Sequence, residues 1–192
     1  MSQPDFKRTA ITGGIGSGKS HVCRMLEQRG LQVYDCDAAA KRLMRCDAVL
    51  RRQLISLVGP EVYDAAGILQ KAVLAKFLLA SEANKQAVND VVHPAVARDF
   101  MQSGGQWLES AILFESGFYR RVPFDRVVCV TAPDDVRLAR IMQRDGISRE
   151  KAQEWMRCQM PQDEMARRSD FVISNDGTEE LETQIDHLLN HQ

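Results

Sequence analysis

Gly13-Gly14-Ile15-Gly16-Ser17-Gly18-Lys19-Ser20 fits G-x-x-x-x-G-K-[ST] at every fixed position, the pattern of a phosphate-binding loop. Its flanks supply the context that a true match needs. Phe6 to Thr12 reads as a short strand that turns apolar at Ala10 and Ile11. Ser20 to Arg29 carries Val22, Met25 and Leu26 at helical spacing, and Gly30 is placed to stop that helix. Strand, glycine loop and helix in this order make a cradle of backbone N–H groups at a helix end of positive potential. Lys19 would reach the outer phosphates, and the Ser20 hydroxyl would take a Mg²⁺ position. A glycine-rich turn with no ligand is the alternative, and the flanking strand and helix weigh against it.

At 192 residues the chain is one large domain, or a core with a modest insertion. Hydrophobic content of 44% and charged content of 27% are those of an ordinary globular protein. A net charge of −1 gives no bulk attraction to nucleic acid or to an anionic membrane, so neither is expected as a partner. No apolar run approaches the ~20 residues that cross a bilayer, and Met1 to Arg8 lacks the apolar core of a signal peptide. Cysteines at 23, 36, 46, 129 and 158 form no C-x-x-C, and histidines at 21, 93, 187 and 191 show no metal-ligand spacing. A cytoplasmic protein with reduced thiols is expected.

After Gly30, Leu31 to Tyr34 reads as a second strand ending in Asp35-Cys36-Asp37, and Ala38 to Arg45 as a helix. Asp47 is placed to cap a helix over Ala48 to Val58, which Gly59-Pro60 breaks. Leu69 to Leu79 and Glu82 to Val92 read as further helices. Pro94 disfavours helical geometry at His93, which predicts a boundary there and a new helix opening at Pro94. The stretch 47–104 therefore reads as a helical insertion between the second and third strands. The α/β rhythm then returns. Trp107 to Phe114 contains Ala111-Ile112-Leu113-Phe114, which reads as a short buried strand ending at Glu115, and Arg126 to Thr131 reads as a continuous β-branched strand. Pro133 opens a helix to Arg144, Asp170 to Ser174 is a fifth strand, and a last helix carries Leu181, Ile185, Leu188 and Leu189. This alternation predicts a doubly wound parallel sheet with ligands beyond the carboxyl ends of its strands.

Those ends carry Asp35 and Asp37 after the second strand and Glu115 after the third. A carboxylate there can take a proton from an attacking hydroxyl or hold magnesium waters, and Asp37 can equally cap the Ala38 helix. Arg137, Arg140 and Arg144 fall within roughly 60° of one another on a helix turning ~100° per residue. Such a row suits phosphate, or a solvated face paired with Asp134 and Asp145. From Asp145 to Ser169 the chain is charged and poor in large apolar residues, Trp155 and Met156 being the largest. It reads as a mobile lid over the phosphates or as an exposed helical hairpin.

In this order the features resemble the dephospho-coenzyme A kinase family. The matching pieces are Thr12 to Ser20, Val33-Tyr34-Asp35-Cys36-Asp37, Val92-His93-Pro94, Leu113-Phe114-Glu115, Arg140 to Asp145, Gln159, and Asp170 to Asn175. The resemblance implies a three-layer α/β P-loop fold with a five-stranded parallel sheet, its core in residues 1–46 and 105–192. It also implies a helical domain over 47–104 for the coenzyme A acceptor and a lid over 145–168. The implied reaction moves the γ-phosphoryl group of ATP, with Mg²⁺, to the ribose 3′-hydroxyl of dephospho-coenzyme A. Asp37 then aligns with the general base, Lys19 and Arg140 with the phosphate-stabilising cations, and Ser20 with the metal ligand. Gly14, Ile15, Gly16, Ser17, Gly18 and His21 would complete the nucleotide cradle, with Asn175 near the adenine. Asp35, His93 and Glu115 would meet the acceptor, His93 being open between substrate contact and structural break. A monomer or weak homo-oligomer is expected.

Three features depart from the family pattern: His21 in place of threonine, Ala111 in place of proline, and the pair Gln70-Lys71 in place of an acidic-basic pair. His21 would offer its backbone N–H, and its ring as a donor, where a threonine hydroxyl would meet the α-phosphate. A P-loop kinase of a nucleoside or small metabolite is the nearest rival reading. A P-loop regulatory module is a second, with the arginine row and acidic strand ends against it and no guanine-reading N-K-x-D in the chain.

Overall fold

Four consecutive buried residues, Thr9–Thr12, form the central strand β1, and the rest of the sheet is laid out from it. The computed structural model describes residues 8–178 and 180–190. The Phe6 end of the expected first strand, the N-terminal stretch before Arg8, and His191 lie outside the described residues. By contact the described chain divides into two units. One runs to Tyr34 and resumes at Gly104; the other is Asp35–Ser103.

The first unit holds the sheet. β1 pairs in parallel with β3 (Trp107–Glu109) on one side and β4 (Arg126–Thr131) on the other, and β4 pairs in parallel with β5 (Phe171–Ser174). β2 (Val33–Asp35) completes the order β2-β3-β1-β4-β5. The helices α1 (Lys19–Gln28) and α9 (Leu181–Asn190) cover one face of this sheet. Val22, Met25 and Leu26 of α1 and Ile185 and Leu188 of α9 close over Ile11, Val128, Val130 and Ile173. Alternate strand residues face this core, as a period of two requires. α6 (Asp134–Asp145), α7 (Arg149–Arg157) and α8 (Gln162–Arg167) follow β4. Both β4 and β5 end in a glutamine clamp. Gln162 exchanges two 3.0 Å bonds with the Ala132 peptide, and Gln184 exchanges bonds of 2.8 and 2.9 Å with that of Ser174.

The second unit is helical: α2 (Cys36–Cys46), α3 (Ala48–Val58), a short 3₁₀ turn at Pro60–Val62, α4 (Lys71–Ala80) and α5 (Glu82–Ser103). α5 is its spine, with α2, α3 and α4 packed against it. Because α2 belongs to this packing, the unit begins at Asp35 and not at 47.

Four local expectations are corrected. The third strand is Trp107–Glu109, in register with Thr9 to Ile11, and Ala111 to Glu115 winds into turns. Leu113 and Phe114 are buried there as loop anchors; a short apolar run does not by itself distinguish strand from buried turn. Pro94 does not end a helix, because α5 runs unbroken through it. A proline inside a helix costs about 3 kcal/mol. Here Val88, Val92, Ala95, Val96, Ala97 and Phe100 are buried on both sides of it, while Asp90, whose carbonyl loses its partner, is exposed. Leu69 lies in an antiparallel bridge with Tyr63, so α4 starts at Lys71. The cap of α2 is Asp35, whose carboxylate accepts from Ala38 N–H at 2.9 Å, and Asp37 stands inside the first turn.

Candidate active site

The loop after β1 is held in a shape that only its glycines permit. Gly13 has φ 147° and Gly18 φ 92°; a Cβ at the first would run into the Val130 carbonyl and at the second into the Asn175 amide. Gly18 is also the N-cap of α1, with no side chain capping that helix and no acid in its first turn. His21 N–H closes onto the Gly18 carbonyl at 2.9 Å, which leaves the N–H groups of Lys19 and Ser20 as the anion donors at the positive end of the helix dipole.

Side chains from α6 and from the turn after β5 brace the loop. Arg137, 4% exposed, donates from Nε to the Ile15 carbonyl at 3.0 Å and pairs with Asp134 at 3.0 Å. Arg140 donates from Nη1 to the Gly16 and Ser17 carbonyls, both at 3.3 Å, and from Nη2 to the Asn175 carbonyl at 3.2 Å. Asn175 returns a bond from Nδ2 to the Ser17 carbonyl at 2.9 Å. Arg144 is exposed on Asp145 at 2.7 Å. The arginine row is thus divided: Arg137 is a buried strut, Arg140 lies along the loop, and Arg144 is a surface pair.

Lys19 is buried, and its Nζ lies 3.4 Å from Glu109 Oε1 at the carboxyl end of β3. Glu109 takes the strand-end position that the sequence assigned to Glu115. Only the register of β3 on β1 reveals it; the signal available in the sequence was a carboxylate closing the apolar pair Trp107-Leu108. Glu115 instead accepts from Met160 N–H at 2.9 Å, in the junction between α7 and α8. Ser20 and His21 are exposed on the first turn of α1. Ser17 Oγ and Thr12 Oγ1 are buried without a hydrogen-bond partner, polar atoms left unsatisfied inside the loop. Beneath the loop, burial pushes the Cys129 thiol up to about 11, against the opposing pull of Lys19 and Arg137, so it remains neutral.

The segment 145–168 is better anchored than its composition suggests. Ala152 of α7 is fully buried on Leu138 and Ile141, with Trp155 and Met156 beside it. Met165 of α8 is fully buried, and the Arg168 guanidinium sits 4.3 Å from the Phe114 ring centroid. Between α6 and these helices lies a cleft of about 840 Å³, lined by Asp134, Arg137, Arg149, Arg157 and Gln159 among others.

In the helical unit, Asp35 is occupied as a cap, Asp37 is exposed in the first turn of α2, and His93 is half-buried within α5. The first unit thus assembles Gly14 to His21, Arg140 and Asn175, while Asp35, Asp37 and His93 belong to the second. Among the described residues no group of three or more His, Cys, Asp or Glu could hold a metal ion, and no helix is long and apolar enough to cross a membrane.

A glycine loop and lysine at an uncapped helix start form a phosphate cradle shared by P-loop nucleotide-binding proteins at large. Similarity along the whole chain narrows the group. The family model for dephospho-CoA kinase matches residues 8–180. A dephospho-CoA kinase of Bacteroides fragilis (strain YCH46) is 41% identical over 189 residues, covering 95% of this chain and 91% of that protein. One of Chlorobaculum tepidum is 38% identical over 192 residues, covering 93% and 91%. Among solved structures, TT1252 from Thermus thermophilus superposes with a TM-score of 0.80 at 33% identity, over 96% of this chain and 97% of that one. With loop, strand-end acid and helical unit inside one continuous match, the chain belongs to the dephospho-CoA kinase family.

Proposed function

We infer that the protein transfers the γ-phosphoryl group of ATP to the ribose 3′-hydroxyl of dephospho-coenzyme A, giving coenzyme A and ADP. The observation that carries the reading is the uncapped start of α1, with Lys19 held against Glu109, inside a chain-long family match.

The donor set suits Mg-ATP. Loop N–H groups and Lys19 would bind phosphate oxygens, and the exposed Ser20 hydroxyl and the Glu109 carboxylate would serve as hard oxygen ligands for Mg²⁺. A bound Mg²⁺ supplies neutralisation of charge on the β- and γ-phosphates. When ATP arrives, Lys19 exchanges part of its pairing with Glu109 for the phosphates. Arg140, already on the Gly16 and Ser17 carbonyls, brings a fixed positive charge to the same loop. Asp37 takes the proton of the 3′-hydroxyl as it attacks. Asp35, His93 and Glu115 contact the acceptor, the helical unit Asp35–Ser103 is its domain, and 145–168 excludes water as a lid. Asn175 lies toward the adenine, and His21, whose N–H donates to the Gly18 carbonyl at 2.9 Å, offers its exposed ring toward the α-phosphate. The protein acts in the cytoplasm, as a monomer or weak homo-oligomer, without nucleic acid.

The test is incubation with ATP, Mg²⁺ and dephospho-coenzyme A, followed by mass spectrometry. A mass gain of one phosphate on the acceptor, removable by a 3′-nucleotidase, is the expected result. No such product, alongside phosphorylation of a plain nucleoside, overturns the acceptor assignment.

A further inference from the structure

Ile15, third residue of the loop, has both of its peptide groups taken by side chains. Its carbonyl accepts from buried Arg137 at 3.0 Å, and its N–H donates to Gln159 Oε1 at 2.6 Å, across 144 residues of sequence. Its own side chain packs with Leu138, Ile141 and Ala152. No other residue of the loop is tied to α6 and to the α7–α8 junction at once.

The junction that presents Gln159 is itself fixed. Gln159 N–H donates to the Met156 carbonyl at 3.3 Å, Met160 N–H to Glu115 at 2.9 Å, and Gln162 clamps both sides of Ala132. Gln159 is therefore held from the sheet side, not by α7 alone. Because a backbone N–H only donates, the amide must turn its oxygen to Ile15, leaving Nε2–H₂ free of hydrogen bonds to the described residues.

We propose that Gln159 is a positioning residue for phosphoryl transfer: by accepting from Ile15 N–H it sets the loop in its phosphate-binding shape before nucleotide arrives, and joins that shape to the base of the lid. The proposal rests on the kinase reading above. Its physical content is pre-organisation. The phosphate-binding donors remain without Gln159, but the loop relaxes, and a reacting group misplaced by ~1 Å costs about 10²-fold in rate. The loss therefore falls on kcat more than on ATP binding.

Two variants test it. Gln159→Met keeps length and volume but removes the acceptor. We expect kcat to fall by roughly 10- to 100-fold, with KM for ATP within about threefold. Amide hydrogen exchange of the 13–18 backbone, without nucleotide, should quicken by roughly fivefold, the scale of one lost hydrogen bond. Gln159→Glu keeps the acceptor and adds a negative charge. Its exchange should match the unsubstituted protein, while KM for ATP rises by roughly tenfold through repulsion. A role in packing alone would not separate the two variants in this way. Gln159→Met with unchanged kcat or unchanged exchange overturns the proposal, as does Gln159→Glu exchanging as fast as Gln159→Met. Failure of the unsubstituted protein to make coenzyme A would instead strike the kinase reading, and the exchange measurement would still decide the brace.

Discussion

Helices α1 and α2 each follow a strand of the same sheet, yet their first turns are built in opposite senses. α1 starts at Gly18 with no side-chain cap and no acid, its first residue the buried Lys19. α2 starts at Asp35, whose carboxylate already satisfies Ala38 N–H, with Asp37 in the same turn. Placing glycine instead of a capping side chain at a helix start forfeits about a few tenths of a kcal/mol. The forfeited bonds at α1 are those a phosphate restores. At α2 one of the leading donors, Ala38 N–H, is satisfied from within, and the exposed group is a carboxylate, suited to a proton or a hydroxyl. One end is made for anions and the other is made to repel them.

That contrast can be broken most severely at Lys19. Lys19→Met should lower coenzyme A formation by about 10³-fold or more, the scale of losing a charge aimed at the transferring group. Steady-state rates check it, and the melting temperature shows whether loss of the Lys19 contact to half-buried Glu109 destabilises the fold. Next in size is Asp37→Asn, expected to cost about 10²-fold in kcat as loss of a general base, while ATP titration stays within threefold. Full turnover in that variant would remove Asp37 as the base. Smaller again is Gly18→Ser, which gives α1 the kind of cap α2 has. At φ 92° its Cβ would meet Asn175, and its hydroxyl would compete for the donors that phosphate needs. We expect ATP affinity to fall by about tenfold in a binding titration. An unchanged affinity would mean that the open start of α1 is not what binds nucleotide.

The sequence made these two turns legible to different degrees. At α1 the motif, the strand before it and the apolar spacing after it agree, so loop and helix could be read locally. Asp47 as the cap of α3 and Arg126–Thr131 as a strand were legible for the same reason. At α2 two aspartates stand two residues apart, and local pattern does not choose between them; the structure gives the cap to Asp35. The misreadings at Ala111 to Glu115 and at Pro94 share a cause. Tertiary burial outweighed the local signal, through the β3 register in one case and the buried face of α5 in the other. The role of Arg137 was hidden because its partner is the backbone of Ile15, which no side-chain pattern records. Glu109 and Gln159 act across 90 and 144 residues, and pairing at that distance exists only once the sheet has formed.

The smallest effect sharpens the comparison furthest, because it separates the two duties assigned to Asp35. As a cap alone, Asp35→Ala should cost about 1 kcal/mol, lowering the melting temperature by ~2–4 °C in a chain of this size. Asp35→Ser retains an oxygen at the same position and should restore most of that stability. If Asp35 also meets the acceptor, KM for dephospho-coenzyme A rises in both variants, because serine replaces the cap but not the charge. If it caps and nothing more, the serine variant matches the unsubstituted protein in KM and melting temperature alike. The second outcome would leave Asp37 as the acidic group that α2 offers to chemistry, and Asp35 as the residue that keeps the turn beneath it folded.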